Sequence, residues 1–445
     1  MTITVSTQNR IKPINPVHGI NNGPLPDSMA DLSNQFRKAG FPVARLHDTH
    51  YPFAVDIAKI FSDFSADEND PANYRFTNTD TYIKAIVDCG METIYRLGPS
   101  IEHTPEKRYI SVPSDYAKWA RICVNIIRHY NEGWADGFHY NIRYWEIWNE
   151  PNLPDGHNWT GTLEEYCDLY ITAASYIKSQ CPDIMIGGPT ASSIMAKDFI
   201  ELFLGSVRDA DAPLDFFSWH KYDQDPEIYR RWVRESKKYL KKYGFDKTLS
   251  ICDEWNYHNN KKPQGYYCIG EKPEEKAAYF NSMKNEFGAS FTASTFIVFQ
   301  QEGLDIGAYY ESQTNSYWGS VFDFYGVPTK TFYAFEAFDK LYRLDGGYEV
   351  ETLCPRDDKN PYTYALGASN GDETWIIISK FNGEDDFSDI DIKGLSDGKK
   401  KAEIYLLDRE KNLEKIRTEF YNGNRVITTL NLEKNSVALI HVTKE

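Results

Sequence analysis

The chain has 445 residues, more than one small domain needs, and its net charge of −16 argues against an electrostatic footprint for nucleic acid. No stretch approaches the ~20 apolar residues of a membrane span, and Met1-Thr2-Ile3-Thr4-Val5-Ser6-Thr7-Gln8 holds neither a basic segment nor an apolar signal core. Seven cysteines at irregular spacing make no metal-ligand pattern and read as reduced, mostly buried thiols, so a cytoplasmic protein is expected.

From residue 14 to about residue 343, strand-like apolar runs alternate with amphipathic helical runs. A strand at about Ile14–Ile20 precedes a helix near Met29–Ala39, and Val43–Asp48 precedes, after a long loop, a helix near Asp80–Cys89. Thr93–Gly98 leads into a helix at about Ser114–Glu132, and Ile142–Asn149 into Leu163–Gln180. Ile184–Gly188, Leu214–His220 and Thr248–Glu254 follow, with helices near Ala196–Val207, Glu227–Tyr243 and Glu274–Phe287. Phe291–Phe299 reads as the eighth strand, before a last helix near Lys330–Leu341. Eight βα units in series imply parallel strands that close into a barrel. The rival, an open doubly wound sheet, lacks a Gly-x-Gly-x-x-Gly turn after the first strand.

From about Gly346 the pattern changes to short strands such as Thr374–Ser379 and Ser436–Val442. Turn pairs separate them, Asn370-Gly371, Asn382-Gly383 and Asn422-Gly423 among them. The expected fold is therefore α/β, a (β/α)8 TIM barrel over residues 1–345 with a C-terminal antiparallel β-sandwich over 346–445. Ile3–Ser6 also alternates, which leaves residues 1–12 open to pairing with the sandwich.

The most informative segment is Tyr144-Trp145-Glu146-Ile147-Trp148-Asn149-Glu150-Pro151, an apolar strand stopped by a proline that cannot continue the ladder. A glutamate desolvated among indoles has its neutral form favoured, as a general acid requires. A second carboxylate ends a similar strand in Ser250-Ile251-Cys252-Asp253-Glu254-Trp255-Asn256. Either glutamate alone could be a solvated strand-end acid; together they suggest paired-carboxylate glycosidic chemistry. Functional side chains of such barrels collect at the C-terminal ends of the strands. Those ends offer His18, Asn21 and Asn22, then His47 and Asp48, Ser100 and Glu102, Asn149 and Glu150, His220 and Tyr222, Glu254, and Gln300, Gln301 and Glu302. Glu146 lies deeper on the Glu150 face and, as a buried carboxylate, is expected to pair with Arg45 or Arg96.

Trp145-Glu146-Ile147-Trp148-Asn149-Glu150-Pro151-Asn152 and Asp253-Glu254-Trp255-Asn256 resemble the acid/base and nucleophile motifs of clan A retaining glycoside hydrolases. His18-Gly19-Ile20-Asn21-Asn22-Gly23, Arg45-Leu46-His47-Asp48 and Phe217-Ser218-Trp219-His220-Lys221-Tyr222 are similar to glycoside hydrolase family 39, which holds β-xylosidases and α-L-iduronidases. The resemblance implies a retaining glycoside hydrolase, with Glu150 as acid/base and Glu254 as nucleophile. It implies Asn149 as the grip on the sugar 2-hydroxyl, His220 and Tyr222 as partners orienting the nucleophile, and His47 as a sugar contact. Asn21, Trp255 and Gln300 complete the expected substrate-binding set, although Trp148, Trp219 and Trp255 read equally well as barrel packing. The expected substrate is a short oligosaccharide or glycoside, cleaved from the non-reducing end in the manner of a β-xylosidase. A uronate- or arabinose-specific glycosidase and a non-catalytic carbohydrate-binding protein are the alternatives. Lys221 could hold a uronate carboxylate, but alternation points it away from the His220 side. The loop of residues 259–273 is expected to shape the rim. No cofactor or metal is required, neither nucleic acid nor membrane is expected as a partner, and a homo-oligomer remains open.

Overall fold

In the computed structural model, which describes residues 1–26, 31–48, 54–102, 105–259, 272–314, 318–356 and 361–445, eight parallel strands close on themselves. The chain opens with β1 (Thr2–Pro13) outside this barrel. The staves are β2 (Gly19–Asn21), β3 (Val43–Arg45), β4 (Glu92–Leu97), β5 (Tyr144–Ile147), β6 (Met185–Ala191), β7 (Phe216–Asp223), β8 (Leu249–Tyr257) and β9 (Ile306–Tyr309). Closure is the parallel pairing of Gly19 with Ala308 and of Ile20 with Tyr309. Val43, Ile94, Tyr144, Phe216, Ile251 and Ile306 form a small core of their own, one side chain from each of six staves.

The outer ring contains α1 (Ser33–Ala39), α2 (Ile57–Ile60), α3 (Thr77–Asp88), α4 (Tyr116–Asn131), α5 (Leu163–Gln180), α6 (Lys197–Asp209), α7 (Pro226–Tyr243), α8 (Pro273–Ser282), α9 (Glu286–Glu302) and α10 (Lys330–Tyr342). Local signals set several of the ends. Thr162 and Glu165 close a capping box at the start of α5. Asp225 and Pro226 open α7, and Gly244, in the left-handed conformation, ends it.

Residues 291–299 are a correction to the sequence reading. They lie in the middle of α9, a helix, and the eighth stave is Ile306–Tyr309. Helix α9 is buried on every side from Gly288 to Gln300, because it sits between the barrel and the C-terminal sheet. Its Ser294 hydroxyl donates to Ser379 Oγ at 3.0 Å, and Ser379 donates to the Ser290 carbonyl at 2.8 Å. A helix with no solvated face carries no polar stripe, so its 3.6-residue period vanishes and its β-branched and aromatic residues imitate a strand.

The C-terminal module is one continuous nine-stranded sheet. It comprises β10 (Tyr348–Leu353), β11 (Thr363–Ser369), β12 (Glu373–Lys380), β13 (Asp386–Lys393), β14 (Lys399–Leu407), β15 (Asn412–Asn422), β16 (Arg425–Leu432) and β17 (Ser436–Lys444), together with β1. Strand β1 pairs antiparallel with β10 and parallel with β13, so the first residues of the chain complete the last module. Ile3, Ile376, Ile390, Ile404 and Ile440 meet in a single core, which requires the sheet to curl over itself. Its two edge strands, β15 and β16, are tied by Arg417, which donates to Thr428 Oγ1 and to the Thr429 carbonyl, each at 2.9 Å. No helix among the described residues is long and apolar enough to cross a membrane.

Candidate functional site

Two backbone irregularities place the acidic side chains. In a regular strand, neighbouring residues face opposite sides. Trp148 and Glu150 adopt left-handed φ values of 70° and 45°, and this twist directs Asn149 and Glu150 into the barrel mouth together. On β8 the ladder pairs Trp219 with Cys252 and then His220 with Glu254. Asp253 is thus an extra residue, a β-bulge that lets Asp253 and Glu254 both enter the barrel.

Glu150 and Glu254 converge. An oxygen of each and a ring nitrogen of His220 lie within 4.8 Å of one another, and the two glutamates are 8 % and 4 % exposed. His220 Nδ1 is 2.7 Å from Glu150 Oε1 and 3.5 Å from Glu254 Oε2. The Tyr222 hydroxyl donates to Glu254 Oε2 at 2.8 Å, and Arg45 Nη1 donates to Glu254 Oε1 at 2.7 Å. His47 Nε2 stands 3.3 Å from Glu254 Oε1 and from Asp48 Oδ2. Tyr222 and His220 therefore divide their work: the tyrosine bonds Glu254, whereas the histidine bonds Glu150, where the sequence suggested both on the nucleophile side.

Burial moves the titrating groups apart. Desolvation pushes the Glu150 carboxyl up to about 7 against the opposing pull of Arg45. Desolvation pushes His220 down to about 4, so its ring is neutral beside Glu150 at neutral pH. Asp48, buried near Glu254, is raised to about 7, also by desolvation. Glu150, His220 and Glu254 are also a geometrically acceptable ligand set for a metal ion, but two of them are already bonded to each other and Arg45 supplies positive charge to the third.

Arg45 organises the floor. Its Nε donates to Glu146 Oε2 at 2.7 Å, the buried pairing expected of Glu146, and Nη2 donates to Asn149 Oδ1 at 2.8 Å. Arg96 instead pairs with Asp56 at 2.8 Å. Because Asn149 Oδ1 accepts from Arg45, its amide Nδ2 is the free end, buried and without a partner, available to a ligand hydroxyl.

Three expected substrate contacts lie elsewhere. Gln300 is at the end of α9, away from the stave ends, where it donates to the Pro13 carbonyl and Glu349 and accepts from Asn15 N. Gln301 bonds Arg230 and the Ala365 carbonyl, and Glu302 holds Arg230 and Arg234. All three followed from reading α9 as a strand. Trp255 is fully buried among Tyr229, Phe296, Phe299 and Tyr309, so it packs the barrel wall and offers no face to a sugar. Asn21 is a brace, donating to the Asp253 carbonyl at 2.7 Å and the Ala308 carbonyl at 3.2 Å and accepting from Arg45. His18 is also off the rim, edge-on to Phe296 and Tyr342 and 3.4 Å from Asp339. Trp148 and Trp219 are likewise packed, their indole N–H groups donating to the Asn158 carbonyl and Ser250 Oγ. The rim loop of residues 259–273 lies, except at its ends, outside the described residues.

The sequence reading missed Tyr310, one residue beyond β9, whose ring stands 5.8 Å from that of His47 and whose hydroxyl is 3.5 Å from Asp48. Gly303, the left-handed cap of α9, followed by the short apolar run Ile306–Tyr309, was the signal. It also missed a role for Asp253.

The sequence model of glycosyl hydrolases family 39 matches residues 1–256, more than half of the chain. Two curated relatives are β-xylosidases. That of Caldicellulosiruptor saccharolyticus is 25% identical over 337 residues, 70% of this chain and 64% of the relative. That of Geobacillus stearothermophilus is 32% identical over 118 residues, 26% of this chain and 22% of the relative. The chain thus spans less than two thirds of these relatives' lengths. Among solved structures, a glucosidase from Croceicoccus marinus superposes with a TM-score of 0.83 at 22% identity, covering 100% of this chain and 99% of that one. A monomeric β-xylosidase from Caulobacter crescentus gives 0.73 at 16% identity, with coverage of 100% and 99%. Likeness at these identities speaks for the shared fold.

Proposed function

Because the chain belongs to glycosyl hydrolases family 39, we propose that it hydrolyses glycosidic bonds with retention of configuration, acting on a neutral pentoside at the non-reducing end of a short oligosaccharide or glycoside. The observation that carries this reading is the convergence of two buried glutamates, with oxygens within 4.8 Å, in two different settings. That spacing agrees with the ~5–5.5 Å between carboxyl groups of retaining enzymes better than with the ~6.5–9.5 Å of inverting ones. Glu254, held by Arg45 and Tyr222, attacks the anomeric carbon. Glu150, protonated up to about pH 7, gives its proton to the departing oxygen. Water then gives a proton back to Glu150 and displaces Glu254, releasing the sugar. The free Asn149 amide donates to the sugar 2-hydroxyl, a bond that strengthens as positive charge develops on the ring.

Charge favours a neutral sugar. Among the described residues, Arg45 is committed to Glu146, Glu254 and Asn149, the charge of Arg96 is paired with Asp56 through Nη2, and Lys221 is paired with Asp223. A uronate would meet Glu150, Glu254 and Asp48 without an uncommitted cation from these three. An intracellular setting fits the six described cysteines, all unpaired and five of them buried.

Release of nitrophenol from a panel of aryl xylosides, arabinosides, glucosides and uronides tests the reading. Turnover of a pentoside that is lost in Glu254→Gln supports it. Preference for a uronide, or binding of pentosides with no release, overturns it.

A further inference from the structure

Beneath the catalytic pair, the bulge on β8 buries a further carboxyl group that the double displacement does not use. Asp253 has no exposed surface. It faces Arg45 from β3, Glu146 from β5, His220 from β7 and its neighbour Glu254. Its Oδ2 lies 3.0 Å from Arg45 Nε, but the single hydrogen on Nε points to Glu146 Oε2 at 2.7 Å. Asp253 therefore receives the charge of the guanidinium without its hydrogen. Neither Asp253 oxygen takes a hydrogen bond from a described residue, whereas Arg45 donates to both Glu146 and Glu254. A fully buried carboxylate that takes no hydrogen bond is costly to keep ionised, so Asp253 is the member of the group that keeps its proton. One guanidinium faced by Glu146, Asp253 and Glu254, all buried, leads to the same conclusion by charge.

The remaining neighbour decides what that proton does. Asp253 Oδ1 lies 3.5 Å from His220 Nε2, whose opposite nitrogen, Nδ1, is 2.7 Å from Glu150 Oε1. An ionised Asp253 would draw the imidazole hydrogen onto Nε2. Nδ1 would then be a bare acceptor and would take the hydrogen of Glu150 in a bond, away from the leaving group. A neutral Asp253 exerts no such pull.

We propose that Asp253 is a positioning residue: by keeping its own proton, it keeps the imidazole hydrogen of His220 on Nδ1, where it is donated to Glu150 Oε1 and leaves Oε2 free to carry the proton that is transferred. Burial and the Glu146 charge raise the Asp253 carboxyl well above the usual range, while Arg45 holds Glu146 low, so the proton resides on Asp253. The kinetic consequence rests on Glu150 being the acid/base; the proton on Asp253 does not.

Infrared spectra of protein labelled with 13C in its aspartate carboxyls test the proton directly, without turnover. At about pH 9, well above the Glu150 and Asp48 titrations, a protonated carboxyl band that shifts with the label and disappears in Asp253→Asn is expected. Absence of the band, or its survival in Asp253→Asn, overturns the proposal whatever the enzyme's activity. Kinetics supply the second arm. Asn is a neutral isostere, so Asp253→Asn should hold kcat/KM within about threefold and leave the basic limb of its pH profile in place. Glu146→Gln removes the charge that keeps the proton on Asp253. It should lower kcat about tenfold at unchanged KM, with Glu146→Gln/Asp253→Asn regaining most of the loss. A basic limb displaced by a full unit in Asp253→Asn would mean that an anion had been removed beside Glu150, and would contradict the proposal.

Discussion

Replacing Glu150 by glutamine should make the protein more stable above neutral pH and leave it nearly unchanged in acid. In the unfolded chain the carboxyl titrates near 4.5, and burial in the barrel mouth lifts it to about 7. Below 4.5 both states carry the proton. Between 4.5 and 7 only the native state holds it, so the stability owed to this group falls as pH rises and is lost once the native carboxyl ionises. The difference of roughly 2.5 units, at about 1.36 kcal/mol each, amounts to ~3 kcal/mol. Glutamine fills nearly the same volume and does not titrate. Chemical denaturation of both proteins from about pH 5 to pH 8.5 should therefore give a stability difference that grows by ~3 kcal/mol in favour of Glu150→Gln, centred between the two titration points. Asp48, also raised to about 7, is common to both proteins and cancels to first order in the difference. The same ionisation should set the basic limb of kcat/KM near pH 7 in the native enzyme. Parallel stability curves would refute the claim that this carboxyl is held neutral by burial.

Tyr222→Phe removes the 2.8 Å bond to Glu254 while keeping the ring against Trp318, and should lower kcat about 10- to 100-fold, the range of one hydrogen bond to a charged group. An unchanged kcat in steady-state assays would show that Arg45 alone suffices to position Glu254. Trp255→Phe opens space among Phe296, Phe299 and Tyr309 and should cost of order 1–3 kcal/mol in denaturation, with KM within about twofold of the parent. A raised KM with full stability would make Trp255 a sugar platform after all. Deleting residues 2–12 takes out β1, the strand between β10 and β13, and should expose the Ile390 and Val350 core to dye binding and proteolysis. Resistance equal to the full chain would contradict the continuous sheet.

The barrel was legible because most of its helices keep one wet face and its staves are short apolar runs, as α4 and β5 show. The module at the C-terminus was legible from its turn pairs, but its ninth strand lies more than 300 residues upstream, and only the alternation of Ile3–Ser6 hinted at it. What failed was α9, where burial between two modules erased the helical period and displaced the eighth stave by one element. Gln300 entered the expected site, and Tyr310 was left out of it, through that single error. At the site itself Glu150 could be read because strand, carboxylate and proline stand in sequence, and Glu254 because a carboxylate follows a similar apolar run. Strict alternation could not reveal that Asn149 and Glu150, or Asp253 and Glu254, face inward together, since left-handed residues and a bulge bring that about. Nor could it show that His220 bonds Glu150 while Tyr222 bonds Glu254.

The central claim is that Glu254 becomes covalently bonded to the sugar. A 2-deoxy-2-fluoro pentoside with a good leaving group should inactivate the protein with stoichiometric release of that group, and mass spectrometry of a digest should find the fluorosugar on the peptide that carries Glu254. Turnover of the parent glycoside to a product of inverted configuration, or a label on any other residue, would contradict the account.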